Sequence, residues 1–189
     1  VGIISSSGLF AQSEYSAMRK GDELFKQNKY TEAAEQYKKA LDINPSADKA
    51  MYNLGDALYR EGKFEEAAQY FDRSAQAAKD KKDKDRAYHN LGNTFMKTEK
   101  YKESVEAYKR ALINQPKDEE TRYNYAYAKQ MLQEQQQQQE EQKDEEKKEE
   151  EKQDQEQEQK DQEQEQQEQE QQEQEQQQEE QEQQEQEQH

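Results

Sequence analysis

The sequence predicts an all-α fold, an array of three antiparallel helix pairs closed by a seventh helix that runs into a low-complexity tail. Three observations carry this expectation. Glycines return on schedule at Gly21, Gly55 and Gly92, 34 and 37 residues apart, each inside the same frame of alanines, aromatics and large apolar residues. A proline closes that frame at Pro45 and again at Pro116. From Gln133 to His189 the chain contains only Gln, Glu, Lys, Asp and one His, so this stretch has no apolar side chain with which to build a core.

The first repeat, residues 14–47, sets Ala17, Gly21, Leu24, Ala33, Tyr37, Ala40 and Pro45 at its positions 4, 8, 11, 20, 24, 27 and 32. The second, residues 48–81, has Met51, Leu54, Gly55, Leu58, Ala67 and Phe71 at positions 4, 7, 8, 11, 20 and 24, with Ser74 at 27 and no closing proline. The third, residues 85–118, has Tyr88, Leu91, Gly92, Phe95, Ser104, Tyr108, Ala111 and Pro116. A small residue at position 8 lets the first helix of a pair approach the second, and position 20 is small for the reciprocal reason. Large residues at 4, 7, 11 and 24 then fill the space around that contact. Proline cannot continue a helix and ends the unit. Lys20 stands where the frame expects a leucine, as suits a terminal repeat with one open face. The three extra residues between the second and third glycines fall in the charged run from Lys79 to Lys84, as a loop or one added helical turn.

This frame resembles the tetratricopeptide repeat (TPR), over residues 14–118. The resemblance implies a right-handed superhelical array whose first helices line a concave groove through repeat positions 2, 5, 9 and 12. Those positions are Tyr15, Met18, Asp22 and Phe25 in the first repeat, Lys49, Tyr52, Asp56 and Tyr59 in the second, Arg86, His89, Asn93 and Met96 in the third, and Glu120, Tyr123 and Tyr127 in the seventh helix. Position 6 adds Asn53, Asn90 and Asn124, whose amides can donate to and accept from the backbone of an extended peptide. The groove expected to bind a partner therefore comprises Tyr52, Asn53, Asp56, Tyr59, Arg86, His89, Asn90, Asn93, Met96, Tyr123, Asn124 and Tyr127. Tyrosine and asparagine are common at these positions in such repeats, so they equally report the repeat itself. Members that clamp a C-terminal carboxylate carry basic or Asn residues at positions 5 and 9 of the first repeat. Here those positions hold Met18 and Asp22, so docking onto cytosolic Hsp70 or Hsp90 is not expected.

Residues 119–132 read as the seventh helix. Thr121, Tyr125, Ala128 and Leu132 form one stripe at helical spacing, suited to capping the apolar end of the third repeat. Tyr123, Tyr127 and Met131 form another on nearly the opposite side, facing either the groove or a partner. Residues 12–132 are thus one TPR domain and residues 133–189 an acidic tail. The tail holds 24 acidic and 5 basic residues, a net of −19, while residues 1–132 have 21 acidic and 23 basic, a net of +2. The formal charge of −17 belongs to the tail. Its Glu, Gln and Lys favour helix, and Asp144 stands three and four residues before Lys147 and Lys148. Further on, like charges line up with no packing face, which predicts a helix that frays into a solvated polyelectrolyte or a disordered solubilising segment.

Residue chemistry excludes most function classes. There is no Cys, and the histidines are His89 and His189, so no thiol nucleophile, metal cluster, cofactor site or Ser-His-acid arrangement is expected; the chain reads as no enzyme. No Gly-rich phosphate loop is present. Dispersed basic residues and an acidic tail disfavour nucleic acid. No stretch reaches the ~20 apolar residues of a bilayer span. Residues 1–11 look like the end of a signal peptide, with Ala11 last before cleavage, or like a short apolar extension of the first helix. Export is the expectation, and it asks for no disulfide.

The run Tyr88-His89-Asn90-Leu91-Gly92-Asn93, then residues 101–116, then Asp118 through Tyr125 and Met131-Leu132 into Gln-rich sequence resembles the BatC-type TPR proteins of bacterial aerotolerance (Bat) operons, over roughly residues 48–142. That resemblance implies an exported, non-enzymatic scaffold on the periplasmic side of the inner membrane, working with membrane-anchored Bat proteins that carry von Willebrand factor A domains. Two rivals stand beside it: a general periplasmic chaperone whose acidic tail keeps clients soluble, and an auxiliary subunit of an envelope enzyme complex.

Overall fold

A computed structural model describes residues 6–187 and divides the chain into two units, Val1–Glu134 and Gln135–His189. Residues 1–5 of the expected export signal lie outside the described residues; the remainder of residues 1–11 enters the first helix.

The first unit holds α1 (Ser6–Lys26), α2 (Tyr30–Ile43), α3 (Asp48–Arg60), α4 (Phe64–Ala77), α5 (Lys81–Lys97), α6 (Tyr101–Asn114) and the start of α7 (Glu119–Glu187). From α1 to α6 each helix packs on the next, and α3 also touches α5, so stability passes from neighbour to neighbour. The pairs are α1–α2, α3–α4 and α5–α6, as the repeat frame predicts.

The glycines explain the closeness of each pair. A Cβ built on Gly21 would lie 2.5 Å from the Tyr37 ring, on Gly55 3.0 Å from Phe71, and on Gly92 2.5 Å from Tyr108. What position 8 makes room for is therefore the aromatic ring at position 24, which is at most 2% exposed in every repeat. Ala33, Ala67 and Ser104 at position 20 are fully buried, and Ser104 Oγ donates to the Gly92 carbonyl at 3.0 Å. Between repeats the small residues at positions 3 and 10 do the same work: Ala50, Ala57, Ala87, Thr94, Thr121 and Ala128 are at most 1% exposed. Burying Tyr37, Leu54, Leu58, Phe71 and Tyr108 is each worth ~1.5–3 kcal/mol against the unfolded chain.

Each pair turns through one backbone device. Asn28, Gly62 and Glu99 share repeat position 15 and all have positive φ, 60°, 78° and 57°. The next residue in each case, Lys29, Lys63 or Lys100, donates its N–H back to the carbonyl of Leu24, Leu58 or Phe95 at 2.9–3.0 Å, closing the helix end. Gly62 takes this conformation without strain and Asn28 with little; Glu99 does not.

The extra residues before the third repeat are an added helical turn. Asp80 accepts from the Lys82 N–H at 2.7 Å, and α5 runs 17 residues where α3 runs 13. Asp118 starts α7 in the same way, accepting from the N–H groups of Glu120 and Thr121 at 3.1 and 3.2 Å and from the Thr121 hydroxyl at 2.8 Å. Of the capping stripe, Thr121 and Ala128 are fully buried and Tyr125 and Leu132 half-buried.

The second unit is helical through Glu187, where the sequence predicts fraying or disorder beyond residue 132. Every backbone bond of an α-helix is internal, so helix needs no packing face where Glu, Gln and Lys supply the propensity. Side-chain pairs one turn apart add to it, as in Gln157 Nε2 donating to Asp161 Oδ1 at 2.9 Å.

Candidate functional site

The first helices of the repeats, α1, α3 and α5, bring most of the expected groove residues to two clefts. One, of about 290 Å³, is lined from α1 by Met18 and Asp22, from α3 by Asp48, Lys49, Tyr52 and Asn53, and from α5 by Asp83 and Arg86, with Ser74 of α4 at its floor. The other, of about 280 Å³, is lined by Tyr52, Asp56, Tyr59 and Arg60 of α3, Asn90 and Asn93 of α5, and Phe71 of α4. Tyr52 borders both.

Hydrogen bonds knit this face together. In the first repeat Asp22 Oδ1 accepts from the Tyr37 hydroxyl at 2.8 Å and from Asn53 Nδ2 at 3.0 Å. In the third, Asn93 Oδ1 accepts from the Tyr108 hydroxyl at 2.6 Å and from Asn124 Nδ2 at 3.2 Å. The acceptor at position 9 thus ties the aromatic ring behind it to the asparagine of the following repeat. In the middle, Asn90 Nδ2 donates instead to the Tyr52 hydroxyl at 2.8 Å. Each position-6 asparagine therefore spends its amide nitrogen inside the array. What it can offer a ligand is its second amide hydrogen and its carbonyl oxygen, less than a free amide offers.

Two further expected site residues, His89 and Asn124, serve the cap instead. His89 Nδ1 lies 2.6 Å from Thr121 Oγ1 and Nε2 3.6 Å from Glu120, with the ring edge-on to Tyr108 at 5.8 Å. His89 is a joint between α5 and α7, and Asn124 is its neighbour in that joint. Tyr123 and Tyr127 are 73% and 48% exposed and border neither cleft; half-buried Met96 also lies outside both.

The clefts carry charge of both signs. The Arg86 guanidinium sits 4.7 Å from the centroid of the Tyr52 ring and 3.9 Å from Asp83. Burial lifts the Tyr52 and Tyr59 hydroxyls above their usual range, so both stay protonated and can donate. Burial also holds the Asp56 carboxyl above its usual range, against the opposing pull of Arg60 and Arg86. Phe71, Arg60 and Ser74 were not expected at this face. The signal for Phe71 lies in the repeat frame itself, where position 24 is Tyr, Phe, Tyr.

Among the described residues no group of His, Cys, Asp and Glu is arranged to hold a metal ion, and no helix is long and apolar enough to cross a membrane.

Family models described as tetratricopeptide repeat match residues 18–82 and 85–118. Comparison with curated proteins gives no match. Among solved structures, the first TPR of Spaghetti (RPAP3) bound to the HSP90 peptide SRMEEVD is 27% identical, with 69% of this chain and 98% of that chain covered and a TM-score of 0.60. The first TPR domain of human RPAP3 is 26% identical over 64% of this chain and 92% of that one, with a TM-score of 0.58. The Sgt2 TPR domain from Aspergillus fumigatus, 20% identical over 64% and 80% at a TM-score of 0.58, shares the fold. Repeat frame, helix pairing and family matches agree, and the chain belongs to the tetratricopeptide-repeat family, whose members are non-enzymatic protein-interaction scaffolds.

Proposed function

We propose that this array receives an extended segment of a partner protein along the face of α1, α3 and α5. The observation that carries the reading is the pair of clefts meeting at Tyr52, lined by aromatic rings and by side chains with unspent donors and acceptors. The Spaghetti structure, bound to a peptide, supports it by likeness. An acidic C-terminus of that kind is a poor ligand here. Met18 and Asp22 stand where a carboxylate clamp needs donors, and Asp22 Oδ1 is already taken by Tyr37 and Asn53.

The finer reading rests on the resemblance of residues 48–142 to BatC-type proteins. It makes the chain an exported scaffold at the periplasmic face of the inner membrane, with a von Willebrand factor A domain protein of a Bat operon as the partner. A photo-cross-linking residue placed at Lys49, exposed at the rim of the first cleft, should capture that protein in the source cell. The same residue at Gln69, exposed on α4, should not. Tyr59→Ala should weaken the interaction by about tenfold, the usual effect of truncating an interfacial tyrosine. Capture from Gln69 but not Lys49 would move the site off this face, and recovery of the chain from cytosol alone would overturn the envelope assignment.

A further inference from the structure

The middle repeat breaks the hydrogen-bond rule kept by its two neighbours. In the first and third repeats the position-9 oxygen is filled by a tyrosine hydroxyl from behind and an asparagine amide from the side. In the second repeat the residue behind is Phe71, which has no hydroxyl, and the amide of Asn90 goes to Tyr52. Asp56 is thereby left with neither donor. What holds it among the described residues is Arg60 on its own helix, a long contact at 3.7 Å from a side chain that is itself 54% exposed. Arg86, the other cation nearby, is engaged with Tyr52 and Asp83.

We propose that Asp56 is the anchor of a cation subsite that takes a lysine or arginine side chain from the bound segment. This rests on the face being a peptide groove and specifies what that groove selects. The cleft suits the ligand by shape and by charge. Tyr52, Tyr59 and Phe71 wall it with aromatic surface against which a methylene stem can lie. The half-buried carboxylate, 29% exposed, lines the cleft with only the long contact to Arg60, at 3.7 Å, to hold it among the described residues. An ammonium or guanidinium group supplies several donors at once, and ionised partners make the strongest hydrogen bonds. Burial raises the Asp56 pKa against the pull of its arginines, so a cation in contact would offset part of the cost of burying this charge.

The test uses the full chain and a positional-scanning library of octapeptides capped at both ends. The wild-type array should select Lys or Arg at one position, and replacing that residue by norleucine should weaken binding about tenfold or more in fluorescence polarisation. Asp56→Asn should abolish the preference for Lys over norleucine. Phe71→Tyr should reduce it as well, because the new hydroxyl can fill Asp56 as Tyr37 fills Asp22; tyrosine at this position already folds in the two neighbouring repeats. Retention of the Lys preference in both variants overturns the subsite. Selection of only acidic or apolar residues overturns it too while leaving the peptide groove standing, and no selection at any position overturns both.

Discussion

Gly92→Ala tests the idea that position 8 is small because of an aromatic ring. An added Cβ would meet Tyr108 Cε1 at 2.5 Å, Cδ1 at 2.6 Å and Cζ at 2.8 Å. Ordinary carbon contacts lie near 3.5 Å or beyond, so the ring must retreat by about 1 Å. Tyr108 is 1% exposed and its hydroxyl donates to Asn93 at 2.6 Å, so retreat costs packing and strains that bond. Overpacking costs ~1–3 kcal/mol, a lost hydrogen bond ~1 kcal/mol, and Ala returns ~1 kcal/mol of helix propensity. The net expectation is a loss of about 1–3 kcal/mol. Gly55→Ala meets Phe71 at 3.0 Å, with no hydroxyl to strain, and should stay within about 1 kcal/mol of wild type. Urea unfolding followed by tyrosine fluorescence reads the array alone, because all 12 tyrosines precede Gln133. In a Tyr108→Phe background the cost of Gly92→Ala should shrink by about 1 kcal/mol. Equal losses at Gly55 and Gly92 would refute the reasoning, since the two sites differ in ring clearance and in the hydroxyl tether.

Asp85 is pushed up to about 6 by burial and then by the charge of Asp118, and its Oδ1 lacks a hydrogen-bond partner among the described residues. Its folded pKa exceeds its unfolded one, so the native state binds more protons between them. Stability should therefore fall as pH rises through about 6 and be highest, for this group, below the ordinary carboxylate range. Asp85→Asn should accordingly stabilise the array by ~1–2 kcal/mol at neutral pH and by nothing at low pH; a gain independent of pH would show that the charge is not the cause. At the third turn, Glu99→Gly relieves a non-glycine residue at φ 57° and should raise stability by ~0.5–1 kcal/mol in thermal unfolding, whereas Gly62→Ala should lower it.

Much of the fold was legible because a repeat states the same packing problem three times. Gly21, Gly55 and Gly92 set against Ala33, Ala67 and Ser104 named the close contacts, and the period gave the number of helix pairs and the starts of α3 and α7 at residues 48 and 119, whereas α1 and α5 begin earlier, at Ser6 and Lys81, than the repeats at 14 and 85. The unpaired stripe Thr121 and Ala128 identified the cap. These are local or periodic properties, and side-chain size and helical spacing determine them before the chain has folded. Partner choice among polar groups is different, because it depends on which atoms of distant helices come within 3 Å. Nothing in the sequence says that Asn53 reaches back to Asp22, that Asn90 turns to Tyr52, or that His89 spends its ring on Thr121. A polar side chain with several possible partners takes the one the packed backbones bring nearest, which is how one missing hydroxyl at Phe71 leaves Asp56 in the groove without the tyrosine donor that Asp22 and Asn93 have.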